Sequence, residues 1–346
     1  MKFLRILVSP IYGLIVGIRN LLYDEHLLHS ESVDVPTICV GNLAVGGTGK
    51  TPHTEMIVEM LRKKGYKVAI LSRGYKRKTR GFILADEHST ALTIGDEPMQ
   101  MHLHFPDVPV AVSKDRVKGL HKLMKLFPDL HVVILDDAYQ HRHLRCGYYL
   151  LLTAADNLYI NDHLLPWGSL REHAIGSLRA NMIVVSKCLR TMRPIDKRVI
   201  DTSLHLPTFQ HLVFSEMRYG ELRPMYGQDV DRAMRKPLVV TGIADPTMLW
   251  EYLQGQYKEV ATFRRGDHYQ FTDRDVEQML ALYKKEHCDG VITTEKDAVR
   301  LQLLPRVHEV FGDRVFALPI HAVVTEGEEL FTNQIISYVT ENNRNR

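Results

Sequence analysis

Short apolar runs alternate with amphipathic helical segments along the first 190 residues. Six runs rich in Val, Ile and Leu predict buried strands, at residues 36–40, 67–71, 108–112, 131–135, 148–153 and 182–186. Between the runs, residues 51–63 and 117–126 repeat their apolar positions at the spacing of one helix face. Strands that alternate with helices in this order predict βαβ units, and therefore an α/β fold on a mainly parallel sheet flanked by helices.

The pattern changes beyond about residue 190. Residues 212–217 and 221–225 flank Arg218-Tyr219-Gly220, an arrangement typical of a β-hairpin connector. A second α/β unit follows, with predicted strands at 237–241, 260–263 and 290–294 and a helix over 273–286. The predicted organisation is an amino-terminal helix over 1–25, a main domain over 26–210, a hairpin linker over 211–236 and a smaller α/β domain over 237–346, which ends in a polar tail at 341–346.

The amino terminus is apolar with basic flanks. Its uncharged run, residues 6–18, has 13 residues, whereas a membrane-spanning helix needs about 20. A signal peptide is disfavoured because no small-residue cleavage site follows and the chain continues into the acidic pair Asp24 and Glu25. Pro10, Gly13 and Gly17 weaken any long regular helix. The pattern leaves two interpretations open, a buried packing helix and a helix lying at a lipid surface.

Composition excludes several classes of protein. The 346 residues are 45% apolar and 25% charged, as in an ordinary folded protein. Four scattered cysteines argue against a disulfide scaffold or a zinc site and indicate reduced thiols in a cytosolic compartment. The net charge is only +3, but residues 61–80 carry nine Lys or Arg and no acid. Such a segment attracts phosphates, anionic lipid or nucleic acid. For residues 62–64, at a predicted helix end, a solvated face with acidic side chains opposite it in space is the better interpretation.

Residues 44–51, AVGGTGKT, follow the first predicted strand and open the next helix, which is the arrangement of a phosphate-binding loop. Glycines let successive backbone N–H groups turn toward phosphate oxygens at a helix N-terminus. The nucleotide-binding residues predicted on this basis are Gly46, Gly47, Thr48, Gly49, Lys50 and Thr51. The Lys50 ammonium would bridge phosphates and the Thr51 hydroxyl would hold Mg²⁺. The chain departs from the strict motif at one position, where Ala44 replaces glycine.

A phosphate-binding loop needs an acid near its Mg²⁺. Asp136 and Asp137 end an apolar strand, where ligands bind in parallel sheets, although one of them would serve equally as a helix cap. Gln140 follows a few residues later, in position to order a water or a phosphate. The chain lacks the guanine-specific N/T-K-x-D pattern in the correct spacing and context, so ATP is favoured over GTP.

A kinase must also orient the hydroxyl of an acceptor. Asp96 and Glu97 stand at a turn before a helix, and either is a candidate base or an acid of the first helical turn. Arg73 follows the second strand, in position for a phosphate or for a local acid. His268, in the second unit, would meet the first across a cleft or serve a structural role.

Seven segments together resemble the tetraacyldisaccharide 4′-kinases of lipid A assembly in Gram-negative bacteria. They are GNLAVGGTGKTPH (41–53), SRGY (72–75), GDEP (95–98), SKDR (113–116), LDDAYQH (135–141), LLPWGSLRE (164–172) and TTEKDAVRL (293–301). The resemblance runs from the first helix to about residue 330 and is far more specific than the phosphate-binding loop alone. It implies a P-loop α/β domain joined by a two-stranded linker to a smaller α/β domain.

The resemblance implies transfer of the γ-phosphoryl of ATP to the 4′-hydroxyl of a tetraacylated glucosamine disaccharide 1-phosphate, which gives lipid IVA. It implies Mg²⁺ and a peripheral location on the cytoplasmic face of the inner membrane, with no nucleic acid and no obligate protein partner. Because the acyl chains favour the bilayer, the amino-terminal helix is expected to contact the membrane.

The resemblance also assigns roles to individual residues. The implied catalytic residues are Asp96 as base, His268 as its partner and Lys50. The implied metal-site residues are Thr51, Asp136, Asp137 and Glu172. The implied substrate contacts are Ser72, Arg73, Tyr75, Gln140 and Arg171.

Two alternatives to this interpretation remain open on the sequence alone. The first is a soluble P-loop enzyme that acts on a small metabolite, and the second is a membrane-associated ATPase switch that binds a protein partner. The first would not need the basic apolar amino terminus, and the second would form no phosphorylated lipid.

Overall fold

The computed structural model describes residues 2–227 and 234–344, and the strands within these ranges form two sheets. The strands are β1 (Thr37–Asn42), β2 (Val68–Ser72), β3 (Ile83–Leu84), β4 (Val110–Val112), β5 (Val132–Asp136), β6 (Tyr148–Ala154), β7 (Met182–Ser186), β8 (His211–Tyr219), β9 (Arg223–Pro224), β10 (Pro237–Thr241), β11 (Ala261–Arg264), β12 (Gly290–Thr294), β13 (Val315–Leu318) and β14 (Ile320–Glu326).

The α-helices of the same ranges pack on the faces of the sheets or connect them. They are α1 (Lys2–Asp24), α2 (Lys50–Lys63), α3 (Ala91–Ile94), α4 (Asp96–His104), α5 (Arg116–Leu126), α6 (Pro194–Leu204), α7 (Thr247–Gln256), α8 (Asp273–Lys285), α9 (Glu295–Leu301), α10 (Pro305–Phe311) and α11 (Glu328–Arg344).

The larger sheet has nine strands within the described residues, in the order β14-β8-β7-β6-β1-β5-β2-β4-β3. Strands β8 to β4 of this order pair in parallel, and the edge strands β14 and β3 pair antiparallel. The six strands predicted from the apolar runs are confirmed as β1, β2, β4, β5, β6 and β7. Their side chains are buried on both faces because a hydrophobic layer covers each side of the sheet.

Strand order sets where a ligand can bind. β1 lies between β5 and β6, and the chain leaves β1 through α2 to reach β2 on the far side of β5. The carboxyl ends of β1, β2 and β5 therefore lie at one edge of the sheet, beside the N-terminus of α2. Parallel sheets bind their ligands in the crevice at such an edge.

The smaller sheet has the order β11-β10-β12-β13-β9, and its strands pair in parallel except for β9. The predictions for this unit are confirmed at β10, β12 and α8, and the third strand lies one residue later than predicted, at β11. Val276, Met279 and Val307 lie in its hydrophobic core.

The predicted hairpin between residues 212–217 and 221–225 does not form. β8 pairs with β7 and β14 in the larger sheet, whereas β9 pairs with β13 in the smaller sheet. The two segments next to Arg218-Tyr219-Gly220 thus diverge into different sheets, and the two-stranded connection consists of β8 with β14, where Tyr219 opposes Ile320. Residues 228–233 of the predicted linker lie outside the described residues.

The carboxyl-terminal segment returns to the larger sheet, although the sequence pattern assigned residues 237–346 to the smaller domain. α11 buries Phe331, Ile335 and Val339 in the same core as Ile57 of α2. The Tyr338 hydroxyl also donates to the Thr37 carbonyl at 3.1 Å and accepts from the Thr37 N–H at 3.0 Å. Residues 345–346 of the predicted polar tail lie outside the described residues.

α1 is a continuous helix despite Pro10, Gly13 and Gly17. Contacts with the rest of the chain hold it: the Ser9 hydroxyl donates to the Leu164 carbonyl at 2.8 Å, and the His173 ring donates to the Gly13 carbonyl at 3.0 Å. A Cβ at Gly13 would lie 2.6 Å from Leu164 Cδ1, so glycine permits this close approach. By length and composition alone, Arg5–Asp24 is apolar enough to cross a membrane, and 11% of that window is buried.

Candidate active site

The loop between β1 and α2 forms the centre of the site. Gly46 and Gly49 have positive φ angles of 123° and 81°, which favour glycine. A Cβ at Gly49 would also collide with the end of the Met217 side chain on β8. Ala44, at the position where the strict motif has glycine, makes an antiparallel bridge with Leu170, an extended conformation that suits alanine. The loop thus keeps the required backbone where the sequence departs from the motif.

Lys50 is held at the base of this loop by two side chains. Its ammonium lies 3.3 Å from Asn42 Oδ1 and 3.8 Å from Asp137 Oδ1, and its side chain is 14% exposed. Asn42 also donates to the Thr48 hydroxyl at 2.8 Å. Asn42 was missed in the sequence analysis. The signal that could have found it is a polar residue at the end of an otherwise apolar strand.

β8 supports the loop from the other side. The buried His53 ring contacts the Gly49 carbonyl at 2.7 Å through Nδ1 and the Ser215 hydroxyl at 2.8 Å through Nε2. Burial lowers the pKa of His53 to about 4, so the ring is neutral at physiological pH. His53 therefore links the first turn of α2 to β8 without adding charge to the site.

The two strand-end acids differ in environment. Asp136, at the end of β5, is fully buried and accepts from the Ser72 hydroxyl at 3.2 Å and the Thr54 hydroxyl at 3.4 Å. Burial, with the charges of Glu97 and Asp137, raises the pKa of Asp136 to about 7. A cation beside Asp136 would stabilise its ionised form. This carboxylate therefore suits a metal ion at the carboxyl end of β5.

Asp137 is instead surrounded by cations. Arg171 donates to its Oδ1 at 2.9 Å, and Lys50 is the second cation at the same oxygen. Burial alone would raise the pKa of Asp137, but Lys50, Arg171 and Arg116 outweigh it and lower the pKa to about 2. Arg171 also bonds Asn42 Oδ1. The structure thus places Arg171, predicted as a substrate contact, on the acid and the asparagine that hold Lys50.

Glu172, expected from the resemblance at the metal site, is bound by several protein donors. Arg179 donates to both of its oxygens at 2.8 and 2.9 Å, Gln140 donates to Oε1 at 3.0 Å, and Asn20 donates to Oε2 at 2.8 Å. Each oxygen already accepts two hydrogen bonds in a side chain that is 2% exposed. The carboxylate is therefore occupied by protein donors. Throughout residues 2–227 and 234–344, no group of three or more His, Cys, Asp or Glu side chains could hold a metal ion.

The acceptor side joins the two sheets. Asp96 is the first residue of α4, and its Oδ2 contacts His268 Nδ1 at 3.0 Å and Arg300 Nε at 3.2 Å. The structure thus brings together two of the predicted catalytic residues, which lie 172 positions apart. Asp96 is also an acid of the first turn of its helix, as one of the two interpretations of this residue predicted.

The contact with Lys296 determines which ring nitrogen of His268 carries the proton. The Lys296 ammonium lies 3.0 Å from His268 Nε2 and 3.0 Å from Glu97 Oε1. Because an ammonium can only donate, Nε2 accepts, and Nδ1 carries the proton that His268 donates to Asp96. Lys296 and Arg300 were missed in the sequence analysis. They stand four positions apart in TTEKDAVRL, on one face of a helix.

The SRGY segment lies between the two halves of the site. Ser72 is buried against Asp136, whereas Tyr75 is 53% exposed and its ring meets His268 edge-on at 5.1 Å between centroids. A Cβ at Gly95, just before Asp96, would lie 3.1 Å from the Tyr75 carbonyl. The segment therefore connects the acid beside the loop with the Asp96–His268 pair.

The basic segment of residues 61–80 divides into two parts. Arg62 pairs with Asp107 and Lys63 with Glu59, as the sequence predicted for this run. Arg73, Lys76, Lys78 and Arg80 are exposed and form no ion pair with a described residue. This second part leaves a positive surface next to the SRGY segment.

Comparisons with known proteins agree across the chain. The family model described as tetraacyldisaccharide-1-P 4′-kinase matches residues 1–340. The tetraacyldisaccharide 4′-kinase of Bacteroides thetaiotaomicron is 43% identical over 356 residues, which cover 98% of this chain and 93% of that protein. The enzyme of the same name from Parabacteroides distasonis is 42% identical over 354 residues, which cover 98% and 95%.

Among solved structures, LpxK from Aquifex aeolicus in complex with ATP superposes with a TM-score of 0.72 at 28% identity. The match covers 96% of this chain and 98% of that one.

Proposed function

Because this chain belongs to the tetraacyldisaccharide-1-P 4′-kinase family, we propose that it transfers the γ-phosphoryl of ATP to the 4′-hydroxyl of a tetraacylated glucosamine disaccharide 1-phosphate. The product is lipid IVA, and the enzyme is a lipid A 4′-kinase. One observation carries the proposal: the Asp96–His268 pair is joined through the SRGY segment to the edge of the sheet that holds the phosphate-binding loop. This edge can present a phosphoryl donor and a hydroxyl acceptor to each other.

The donor half binds the triphosphate of ATP. In the proposed complex, backbone N–H groups of residues 46–49 and the N-terminus of α2 face the phosphate oxygens. Lys50, which Asn42 and Asp137 hold at the base of the loop, would reach the β- and γ-phosphates, where its charge offsets the charge that develops during transfer. The ATP in the LpxK complex from Aquifex aeolicus supports ATP as the donor.

The acceptor half activates the sugar hydroxyl. His268 and Arg300 both contact Oδ2 of Asp96, which leaves Oδ1 as the oxygen that accepts the 4′-hydroxyl proton. His268 donates from Nδ1, and Lys296 fixes its other nitrogen, so the carboxylate keeps one orientation. The Tyr75 ring lies beside this pair, and Tyr75 and the exposed Arg73 of the same segment are the proposed contacts for the sugar and its phosphate.

We propose that Mg²⁺ binds between the loop and the carboxyl end of β5. Thr51 and the buried Asp136 would hold it, with Asp137 placed behind Lys50. Mg²⁺ usually keeps several waters and binds through one or two carboxylates plus phosphates, so this small donor set suffices. When bound, the ion neutralises phosphate charge during transfer.

We propose that the enzyme works peripherally on the cytoplasmic leaflet of the inner membrane. α1 exposes Leu14, Ile15 and Ile18, with exposed fractions of 64%, 63% and 50%. The unpaired basic residues of 73–80 supply charge that attracts anionic headgroups. A helix with one apolar face and basic flanks suits the headgroup layer, where the acylated acceptor also resides.

A transfer assay tests the proposed function. The purified chain is incubated with radiolabelled ATP, Mg²⁺ and the disaccharide 1-phosphate lipid in mixed micelles, and lipid products are separated by chromatography. The proposal predicts label on the lipid at the 4′ position. Label on a water-soluble metabolite, or release of phosphate without a labelled lipid, would contradict it.

A further inference from the structure

α1 has two chemically different faces. The outer face carries the exposed apolar residues described above. The inner face is polar: the Tyr12 hydroxyl donates to the Arg171 carbonyl at 2.8 Å, the Arg19 guanidinium donates to the Gln140 carbonyl at 2.8 Å, and Asn20 Nδ2 donates to Glu172 Oε2 at 2.8 Å. All three partners lie in the segments that surround the phosphate-binding loop.

A chain of hydrogen bonds, one of them to the backbone carbonyl of Asn42, runs from Asn20 to Lys50. Asn20 donates to Glu172, and Gln140 Nε2 donates to the other oxygen of Glu172 at 3.0 Å. The same Gln140 nitrogen donates to the Asn42 carbonyl at 2.8 Å, and Asn42 Oδ1 accepts from Lys50 at 3.3 Å. Four contacts therefore connect α1 to the Lys50 ammonium of the phosphate-binding loop.

The middle of this chain has little freedom to rearrange. Glu172 is buried, and its Oε2 accepts only from Asn20 and Arg179 among the described residues. Gln140 donates its two amide hydrogens to Glu172 and to the Asn42 carbonyl. Its buried Oε1 has no hydrogen-bond partner among the described residues. The orientation of the Gln140 amide thus depends on where Glu172 holds it.

We infer that Asn20 is a positioning residue for the phosphate-binding loop, and that α1 supports the nucleotide site as well as the lipid contact. Asn20 fixes Glu172, Glu172 fixes the Gln140 amide, and Gln140 holds the backbone of Asn42, whose side chain contacts Lys50. The inference rests on the proposed function, because it presumes that the loop binds ATP. It gives the polar inner face of α1 a function separate from membrane attachment.

The test is Asn20→Leu, which removes the amide donor, keeps the number and branching of the side-chain heavy atoms, and keeps the helix apolar. Titration calorimetry with MgATP, on the full chain in detergent without acceptor, should show the Kd for ATP raised about three- to tenfold, the worth of one net hydrogen bond. The KM for ATP should rise with it, while the KM for the lipid and the partition onto phosphatidylethanolamine–phosphatidylglycerol vesicles stay unchanged. Asn20→Gln, which keeps an amide donor, should restore most of the affinity.

Two controls make the test specific. Asn342→Leu makes the same substitution on an exposed turn of α11 and should leave the Kd at its wild-type value. A double-mutant cycle with Gln140→Leu should be non-additive, because both changes interrupt one chain of contacts.

An unchanged Kd in Asn20→Leu, or additive effects in the cycle, would overturn the inference. A wild-type chain that does not bind ATP would instead overturn the proposed function.

Discussion

His104 is held between two buried carboxylates, and we predict that its removal destabilises the folded chain. Its Nδ1 lies 3.1 Å from Glu55 Oε1 on α2, and its Nε2 lies 2.7 Å from Glu295 Oε1 on α9. The three side chains are 16%, 7% and 8% exposed. One histidine thus joins the helix that follows the phosphate-binding loop to a helix of the smaller sheet.

The magnitude follows from the charges that would remain. In His104→Ala, two buried carboxylates lose their shared cation, and breaking a buried ion pair costs about 3 to 5 kcal/mol. Gln100 still donates to Glu55 at 3.0 Å, and Arg223 still lies 3.3 Å from Glu295. Because these partners compensate in part, we expect a loss near the lower limit, about 3 kcal/mol in the free energy of unfolding.

The effect should also depend on pH. Burial alone would lower the pKa of His104, but its hydrogen bonds and ion pairs with Glu295 and Glu55 raise it to about 10. An unfolded histidine titrates near pH ~6.5. The folded state therefore binds this proton more tightly. The resulting stability is fully present below about pH 6.5, declines as the pH rises toward 10 and is lost above it.

Urea denaturation followed by circular dichroism checks both statements. We expect His104→Ala to lose about 3 kcal/mol at pH 6.5, and this difference from wild type to shrink at pH 9.5. His88→Ala is the control, because His88 is 85% exposed and pairs only with the exposed Glu87 among the described residues. A loss below about 1 kcal/mol, the value of an exposed pair, would refute the reasoning. So would a loss that does not change with pH.

Three further predictions concern the site. Gly49→Ala should lower the free energy of unfolding by about 1 to 3 kcal/mol, because φ is 81° and Met217 blocks a Cβ; Gly47→Ala, in open space, should cost less in the same denaturation assay. Lys296→Met should lower kcat about tenfold with the Kd for ATP unchanged, since it frees His268 Nε2; an unaltered kcat would contradict its positioning role. Asp136→Asn should raise the Mg²⁺ concentration for half-maximal activity by at least about tenfold in a magnesium titration, and removal of Mg²⁺ by EDTA should abolish transfer; an unchanged requirement would exclude Asp136 from the metal site.

Features encoded in short stretches of sequence could be predicted. Each strand from β1 to β7, except the two-residue β3, is an apolar run that is buried on both faces. The glycines of the phosphate-binding loop indicate a turn, and Gly46 and Gly49 have the positive φ angles that such a turn needs. The position of Asp136 at the edge of the sheet could be predicted from its place at the end of an apolar strand, because the carboxyl ends of neighbouring parallel strands share one edge. Local pattern was sufficient wherever local contacts set the structure.

Features set by distant contacts could not be predicted from pattern. β8 pairs with β14, which lies about a hundred residues later in the chain. The sequence pattern instead predicted that β8 pairs with the segment directly after it, in a hairpin that does not form. Glu172 looks like a free acid in the sequence, and only the fold shows that Arg179, Gln140 and Asn20 occupy it. α1 continues through Pro10 and two glycines because the loop at residues 164–173 holds its inner face.

The acceptor site around Asp96 and His268 could be predicted in part. Pattern alone left Asp96 as either a base or a helix-terminal acid and His268 as a lone histidine, and the family resemblance paired them. The structure brings their side chains to 3.0 Å and adds Arg300 and Lys296, which come from a helix near the end of the chain. Neither cation could be assigned from spacing, because their acidic partners on α4, Glu97 and Asp96, lie about 200 residues away.

The central claim is that Asp96 activates the acceptor hydroxyl beside a nucleotide held by the phosphate-binding loop. The most direct measurement is a single-turnover transfer with Asp96→Asn at saturating MgATP and lipid acceptor, together with the Kd for ATP. The account predicts a rate lower by about 10²- to 10⁴-fold with the Kd for ATP within about twofold of wild type. A rate close to wild type, or a slow rate caused by lost ATP binding, would contradict it.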